Sequence, residues 1–138
     1  MKLISQVLIE SQKTRKQITG SLFGINPTKV SDIKEYCALG TLYCEAGLID
    51  DGQDGHIVQS KGRTELMKYY LGNYEKSKID HGDCMACVTT EITYQEYKSY
   101  SKEHPYEIHE LADYIVHMND YHVMSFEEIG RVLEKLGF

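Results

Sequence analysis

The sequence predicts a mostly helical α+β domain, with five or six helices packed together and a small β-hairpin near residues 48–58. Apolar residues recur at helical spacing in several stretches, and an acidic, glycine-containing turn separates two short strand-like runs. The 138 residues are 41% hydrophobic and 26% charged, which are ordinary values for a globular protein. Because no internal repeat or linker interrupts the chain, residues 1–138 are predicted to form a single globular domain.

The first predicted element is a helix over residues 2–16. Its apolar residues recur at the helical period and form one stripe: Leu3, Ile4, Val7 and Leu8. Residues 18–23 follow and are centred on Gly20. Glycine interrupts a regular pattern, so this segment is either a short strand or an ordered loop.

The middle of the chain is predicted to contain two further helices and the hairpin. Ser31 is a suitable N-cap and Gly47 a suitable C-cap for the central helix. Residues 50–55 form the acidic turn of the hairpin, between strand-like flanks. The next helix is predicted over residues 63–75, and Gly72 weakens its last turn.

The C-terminal part is predicted to be loop first and helix later. Residues 80–87 have loop composition. Residues 88–100 change from strand-like alternation to helical spacing, so their structure stays open. Proline in the first turn favours a helix over residues 105–118. The last helix begins with the capping-box pair Ser125 and Glu128.

Charge and composition disfavour several classes of partner. The net charge of −6 disfavours nonspecific nucleic-acid binding, because phosphates are neutralised by clustered Lys and Arg. Neither a signal peptide nor a membrane-spanning run of about 18 apolar residues is visible. We therefore expect a cytoplasmic protein with reduced cysteines, without membrane contact. Eleven Tyr against three Phe favour ordinary tyrosines at the edge of the core, with a partner surface or a homo-oligomer as the alternative.

A calcium loop is not expected at the acidic turn. Its glycines and acidic residues align with a helix-loop-helix calcium loop that begins at Asp50. In that alignment Lys61 occupies the position where calcium requires a bidentate Glu. A lysine places positive charge where the ion needs a carboxylate, so the segment is interpreted as a hairpin turn.

The cysteines offer an incomplete zinc set. His81, Cys84 and Cys87 have the spacing of metal ligands. The other two, Cys37 and Cys44, are seven residues apart on one predicted helix, about 10 Å along its axis. Both cannot bind one zinc ion, because each Zn–S bond is only about 2.3 Å long. We expect no metal and no cofactor, and a zinc-stabilised interaction module remains an alternative.

A thiol-dependent reaction is a second alternative. Cys37 would be the nucleophile, His117 or His122 the base and Asn119 the orienting amide. A reactive thiolate lies near a helix N-terminus or a histidine. A helix that begins near Ser31 places Cys37 in its second turn, which disfavours this chemistry.

Asn119 and Asp120 lie between two predicted helices and allow two interpretations. Their side chains are suited to cap backbone groups at the break between the helices. Alternatively, Asn119, Asp120 and His122 face a pocket shared with residues 18–23, since functional sites are common on loops at helix ends.

The order of these features resembles an uncharacterised family of small bacterial and phage proteins, catalogued as domain of unknown function 6197. Its members have a leading amphipathic helix, a Gly-centred segment, a Cys-Ala-Leu-Gly helix, and an Asn-Asp turn before a capped C-terminal helix. The corresponding parts of this chain are residues 3–16, 18–23, 36–42, 118–120 and 125–136. The resemblance implies this architecture and one polar site built from both ends of the chain.

The chain also departs from that family. Ile18 and Thr19 replace an aromatic residue and a Gln before the glycine, and Met118 replaces a Trp before Asn-Asp. Residues 50–105 have no counterpart in the family, which itself brings no established activity.

Together, these patterns favour a non-enzymatic binding or interaction protein. We expect it to be phage-encoded and to act on a host protein or a small-molecule ligand. The candidate ligand-binding residues come from both ends of the chain: Thr19, Gly20, Ser21, Cys37, Asn119, Asp120 and His122.

Overall fold

The fold is α+β and mostly helical, as the sequence predicts. The computed structural model describes residues 2–24, 29–51, 57–59, 62–79 and 110–138. Within these ranges the α-helices are α1 (Ile4–Ser11), α2 (Ala38–Ala46), α3 (Arg63–Leu71), α4 (Leu111–Val116) and α5 (Phe126–Lys135). The strands are β1 (Lys16–Gln17), β2 (Glu35–Tyr36), β3 (Ile49–Asp51) and β4 (Ile57–Gln59).

Helices α1 and α5 pack closely through a glycine. A Cβ atom on Gly130 of α5 would lie 2.7 Å from Cγ1 of Ile9 and 2.9 Å from the carbonyl oxygen of Ser5. The capping box that begins α5 is confirmed, since Ser125 Oγ accepts from Glu128 N at 3.1 Å and Glu128 Oε1 accepts from Ser125 N at 3.1 Å. The inward faces of both helices belong to the hydrophobic core.

Helix α2 is buried in the core, and its start differs from the prediction. It ends at Gly47 as predicted, where φ is +66°. It begins at Ala38 with Cys37 as its N-cap, and not near Ser31. Ser31 lies in the 3-10 turn Val30–Asp32, after which β2 pairs in parallel with β1. That pairing keeps the chain extended up to the N-cap, so strand pairing outweighs the local capping signal.

Two helices are shorter than predicted. Helix α1 ends at Ser11, short of residue 16, where β1 begins. Helix α3 ends at Leu71 because Gly72 adopts a φ of +85°, outside the helical region. The 3-10 turn Tyr74–Ser77 follows it, in place of a continued helix.

The predicted hairpin is confirmed, since β3 and β4 pair antiparallel with Ile49 opposite Gln59. Its turn lies outside the described residues, as does the calcium-loop alignment that depends on residues 52–56 and Lys61. The predictions for residues 80–109, including the ligand-like cluster His81, Cys84 and Cys87, also lie outside them. No helix in the described part of the chain is long and apolar enough to cross a membrane.

Residues 18–23 form an ordered loop that contacts β2 and the N-cap of α2. Ile18 N donates to the carbonyl oxygen of Tyr36 at 2.9 Å. Cys37 N donates to the carbonyl oxygen of Leu22 at 2.9 Å. The loop is therefore held at both ends, and its middle lies beside the first turn of α2.

Candidate functional site

The candidate site begins at a wide turn that extends α4. His117–Tyr121 form a π-helical turn, in which His122 N donates to the carbonyl oxygen of His117 at 3.3 Å. Such turns contain one more residue than an α-helical turn and are frequent at functional sites. Asn119 points into the core with 0% exposure, whereas the next residue, Asp120, is exposed.

The Asn119 side chain makes four hydrogen bonds that join distant parts of the chain. Its Oδ1 accepts from Gln17 Nε2 at 2.8 Å and from Ala38 N at 3.0 Å. Its Nδ2 donates to the carbonyl oxygen of Ile18 at 2.9 Å and to Asp120 Oδ1 at 2.7 Å. Asn119 therefore caps backbone groups, as one interpretation expected, but at the start of α2 and not at the break between its own helices.

A second amide, Gln17, extends this network to α5. Gln17 Nε2 also donates to the carbonyl oxygen of Met124 at 2.6 Å, and its Oε1 accepts from Phe126 N at 3.0 Å. Gln12 Oε1 accepts from the next amide, Glu127 N, at 3.1 Å. Sequence reasoning missed Gln17, because its Asn partner is 102 positions away. No local pattern marks such a pair.

Cys37 is the N-cap of α2, so its predicted place in the second turn is wrong. Its Sγ accepts a hydrogen bond from Gly40 N at 3.2 Å, and the residue is 4% exposed. Burial raises the pKa of the Cys37 thiol, more than the amide hydrogen bonds from Gly40 and Leu39 lower it. The Asp120 carboxylate raises this pKa further. The neutral thiol is therefore the dominant form at pH 7.

A pocket of about 250 Å³ lies where the 18–23 loop meets α2 and the end of α4. Its lining combines loop backbone, apolar side chains, a thiol and two charged groups: Gly20, Ser21, Leu22, Cys37, Leu39, Tyr43, Arg63, Val116 and Asp120. This volume is below the range of about 300–1,000 Å³ that is typical of drug-sized ligands.

The two charged groups of the pocket are held by neighbouring residues. Asp120 Oδ1 accepts from Gly20 N at 3.0 Å and from the Asn119 amide, which fixes the carboxylate at the loop. Arg63 Nη1 pairs with Asp113 Oδ1. The guanidinium has five N–H donors in all, so this pairing does not exhaust it. The pocket therefore presents one fixed anion and one cation.

Gly40 allows the loop to form one wall of the pocket. A Cβ atom at this position would lie 2.2 Å from the carbonyl oxygen of Leu22, far inside van der Waals contact. The glycine in the Cys-Ala-Leu-Gly motif is thus explained by the close approach of the loop backbone to the first turn of α2.

Of the seven predicted site residues, four line the pocket and three lie elsewhere. The four in the lining are Gly20, Ser21, Cys37 and Asp120. Asn119 lies behind the pocket as a buried scaffold residue, and Thr19 is exposed in the loop outside the lining. His122 contacts His117, with 3.1 Å between their Nε2 atoms. Sequence reasoning missed Arg63, which a single sequence does not distinguish from other surface arginines.

Comparisons of the chain with protein-family models, with curated proteins and with solved structures found no match.

Proposed function

We propose that this protein binds a compact zwitterionic metabolite, of about the size of a free amino acid, in the pocket between the 18–23 loop and α2. The observation that carries the proposal is the Asp120 carboxylate, which two hydrogen bonds from Gly20 and Asn119 hold at the edge of the pocket. A carboxylate fixed in this way is prepared to bind a cation without losing further side-chain entropy.

The charges of the lining support a ligand with both an amine and a carboxylate. A carboxylate offers about four lone-pair positions on its two oxygens, and the hydrogen bonds from Gly20 and Asn119 both use Oδ1 of Asp120. Among the described residues, its Oδ2 is therefore available to an ammonium group. Arg63 offers N–H donors to an anionic group, while Leu22 and Val116 contribute apolar surface to the lining.

The N-terminus of α2 does not favour a purely anionic ligand. The amide of its first residue, Ala38 N, donates to Asn119 Oδ1 at 3.0 Å. Gly40 N donates to Cys37 Sγ at 3.2 Å. Since these donors already have acceptors, the helix end has little capacity left for a phosphate or sulfate.

Binding without chemistry accounts for the pocket better than a thiol reaction. Burial keeps the pKa of Cys37 above its usual value, and the nearby Asp120 carboxylate opposes thiolate formation further. Iodoacetamide labelling of the native protein at pH 7 separates the two functions. We expect Cys37 to react far more slowly than an unfolded control, and rapid labelling would favour the thiol enzyme.

The binding test compares thermal unfolding with and without a panel of free amino acids, with methylamine and acetate as half-ligands. A ligand present at about 100 times its Kd raises the unfolding free energy by about 2.7 kcal/mol, a shift of several degrees in Tm. Zwitterions should stabilise the protein more than either half-ligand.

Asp120→Asn keeps the acceptor for Gly20 but removes the charge. It should lower affinity at least tenfold, since hydrogen bonds to charged groups contribute about 1.5–3 kcal/mol. Glu10→Gln removes one exposed carboxylate on α1 and serves as the control for net charge. Equal affinities in wild type, Asp120→Asn and Glu10→Gln would refute the proposed site, as would the absence of a shift with every zwitterion.

A further inference from the structure

Outside the lining of the pocket, the π-helical turn brings two imidazole rings into contact. His117 and His122 are both half-buried, and their Nε2 atoms are 3.1 Å apart. The ring of Tyr121 stacks on His117, with 5.1 Å between centroids, and meets His122 edge-on at 4.8 Å. On a regular α-helix, residues five apart diverge by about 140° around the axis. The wide turn is what places both rings side by side.

We propose that His117 and His122 bind one divalent transition-metal ion through their Nε2 atoms. Zinc–imidazole bonds are about 2.05 Å long, so two nitrogens 3.1 Å apart would subtend an angle of about 98° at the ion. This angle lies between the octahedral and tetrahedral values. The observed nitrogen separation therefore fits a shared ion without moving the backbone of the turn.

The chemistry of the pair suits borderline metals. Neutral imidazole is a good ligand for Zn²⁺, Ni²⁺ and Cu²⁺, and a poor one for Mg²⁺ and Ca²⁺. A metal ion between the rings would replace the contact between the two Nε2 atoms. In the bound state both neutral rings carry their proton on Nδ1, so that both Nε2 lone pairs face the metal.

Among the described residues, the two imidazoles are the protein ligands of the proposed site. No group of three or more His, Cys, Asp or Glu side chains gathers around one point among the described residues. Water or the donor groups of a bound molecule would take the remaining coordination positions. This inference goes beyond the expectation of no metal, and it does not depend on the binding pocket.

The competing explanation is a simple hydrogen bond between two neutral rings. That role predicts lower stability for either histidine variant but no metal dependence. The test is therefore a titration of the full chain with Cu²⁺ and Zn²⁺ at pH 7.5. Binding is measured by calorimetry and by the change in Tm, and the EPR spectrum of the Cu²⁺ complex reports the nitrogen donors.

We expect one Cu²⁺ per chain with two nitrogen donors, and a lower affinity for Zn²⁺ than for Cu²⁺. His117→Gln and His122→Gln should each lower Cu²⁺ affinity at least tenfold and remove one nitrogen coupling. His81→Gln, in the other ligand-like cluster of the sequence, is the matched control and should leave the affinity unchanged.

Three results would overturn the proposal. The first is the absence of any metal-dependent change in Tm. The second is unchanged affinity in both His117→Gln and His122→Gln. The third is loss of binding in His81→Gln alone, which would place the metal elsewhere. If His117→Gln does not fold, His122→Gln decides, because His122 follows the turn.

Discussion

Replacing Asn119 by Ala tests whether this buried amide holds the fold together. The change removes four hydrogen bonds. Gln17 and Asp120 each keep a second partner, and water can reach the half-buried Ile18. Ala38 N, in a residue with 0% exposure, is left without an acceptor. An unsatisfied buried donor costs about 1–3 kcal/mol. The three other lost bonds should each cost only the lower end of about 0.5–1.5 kcal/mol, because their partners stay satisfied. We therefore expect a loss of about 3 kcal/mol in the free energy of unfolding.

Urea denaturation followed by circular dichroism at 222 nm measures this loss. With an m-value of about 1.5 kcal/mol/M, the midpoint should fall by about 2 M. Asn73→Ala is the matched control, since Asn73 Oδ1 caps only one exposed amide, Lys76 N, at 3.0 Å. That cap should contribute no more than about 1 kcal/mol. If Asn119→Ala costs no more than Asn73→Ala, the network does not support the fold as we reason.

Three further changes have defined outcomes. Gly40→Ala places a Cβ 2.2 Å from the carbonyl oxygen of Leu22. We expect urea denaturation to show a free energy of unfolding about 1–3 kcal/mol lower than that of the wild type. An unchanged free energy of unfolding would contradict this packing. Val123 has a φ of +49°, a backbone conformation that costs a β-branched residue about 1–2 kcal/mol. Val123→Gly should therefore raise Tm. A lower Tm in this variant would contradict the strain. Burial raises the pKa of Cys44 from 9.0 to about 11, so the unfolded chain loses this proton first and stability should fall between pH 9 and 11. Cys44→Ala should reduce that fall, and an equally steep fall in the variant would refute the assignment.

Sequence patterns predicted the elements whose signals are local. The capping box of Ser125 and Glu128 lies within one helical turn, and the left-handed Gly47 directly follows the helix that it ends. The β3–β4 hairpin joins strands that are close in sequence. In each case the interacting residues are near neighbours, so a short window of sequence contains the physical cause.

The wrong predictions for the start of α2 and the position of Cys37 have one cause, which is an interaction between residues far apart in sequence. Ser31 is a good N-cap in isolation, but β2 pairs with β1, which precedes the 18–23 loop in the sequence. This pairing keeps residues 35–36 extended, so α2 begins only at Ala38. Because α2 begins later than predicted, Cys37 is its N-cap and does not lie in its second turn. The thiol remains a poor nucleophile for a different reason, which is burial. Neither the pairing nor the burial can be read from residue spacing.

Asn119 and Asp120 are adjacent in the π-helical turn but have different roles. Substitutions at the two positions can therefore distinguish an effect on stability from an effect on ligand binding. Asn119 faces inward and caps α2, whereas Asp120 faces outward and borders the pocket. Asp120→Asn retains an oxygen that can accept from Gly20 N, so it should lower affinity while leaving stability nearly unchanged. Asn119→Ala also removes a hydrogen bond that orients the carboxylate, so it should lower both. If both variants lose stability and neither alters binding, the polar cluster is only a cap and the ligand lies elsewhere.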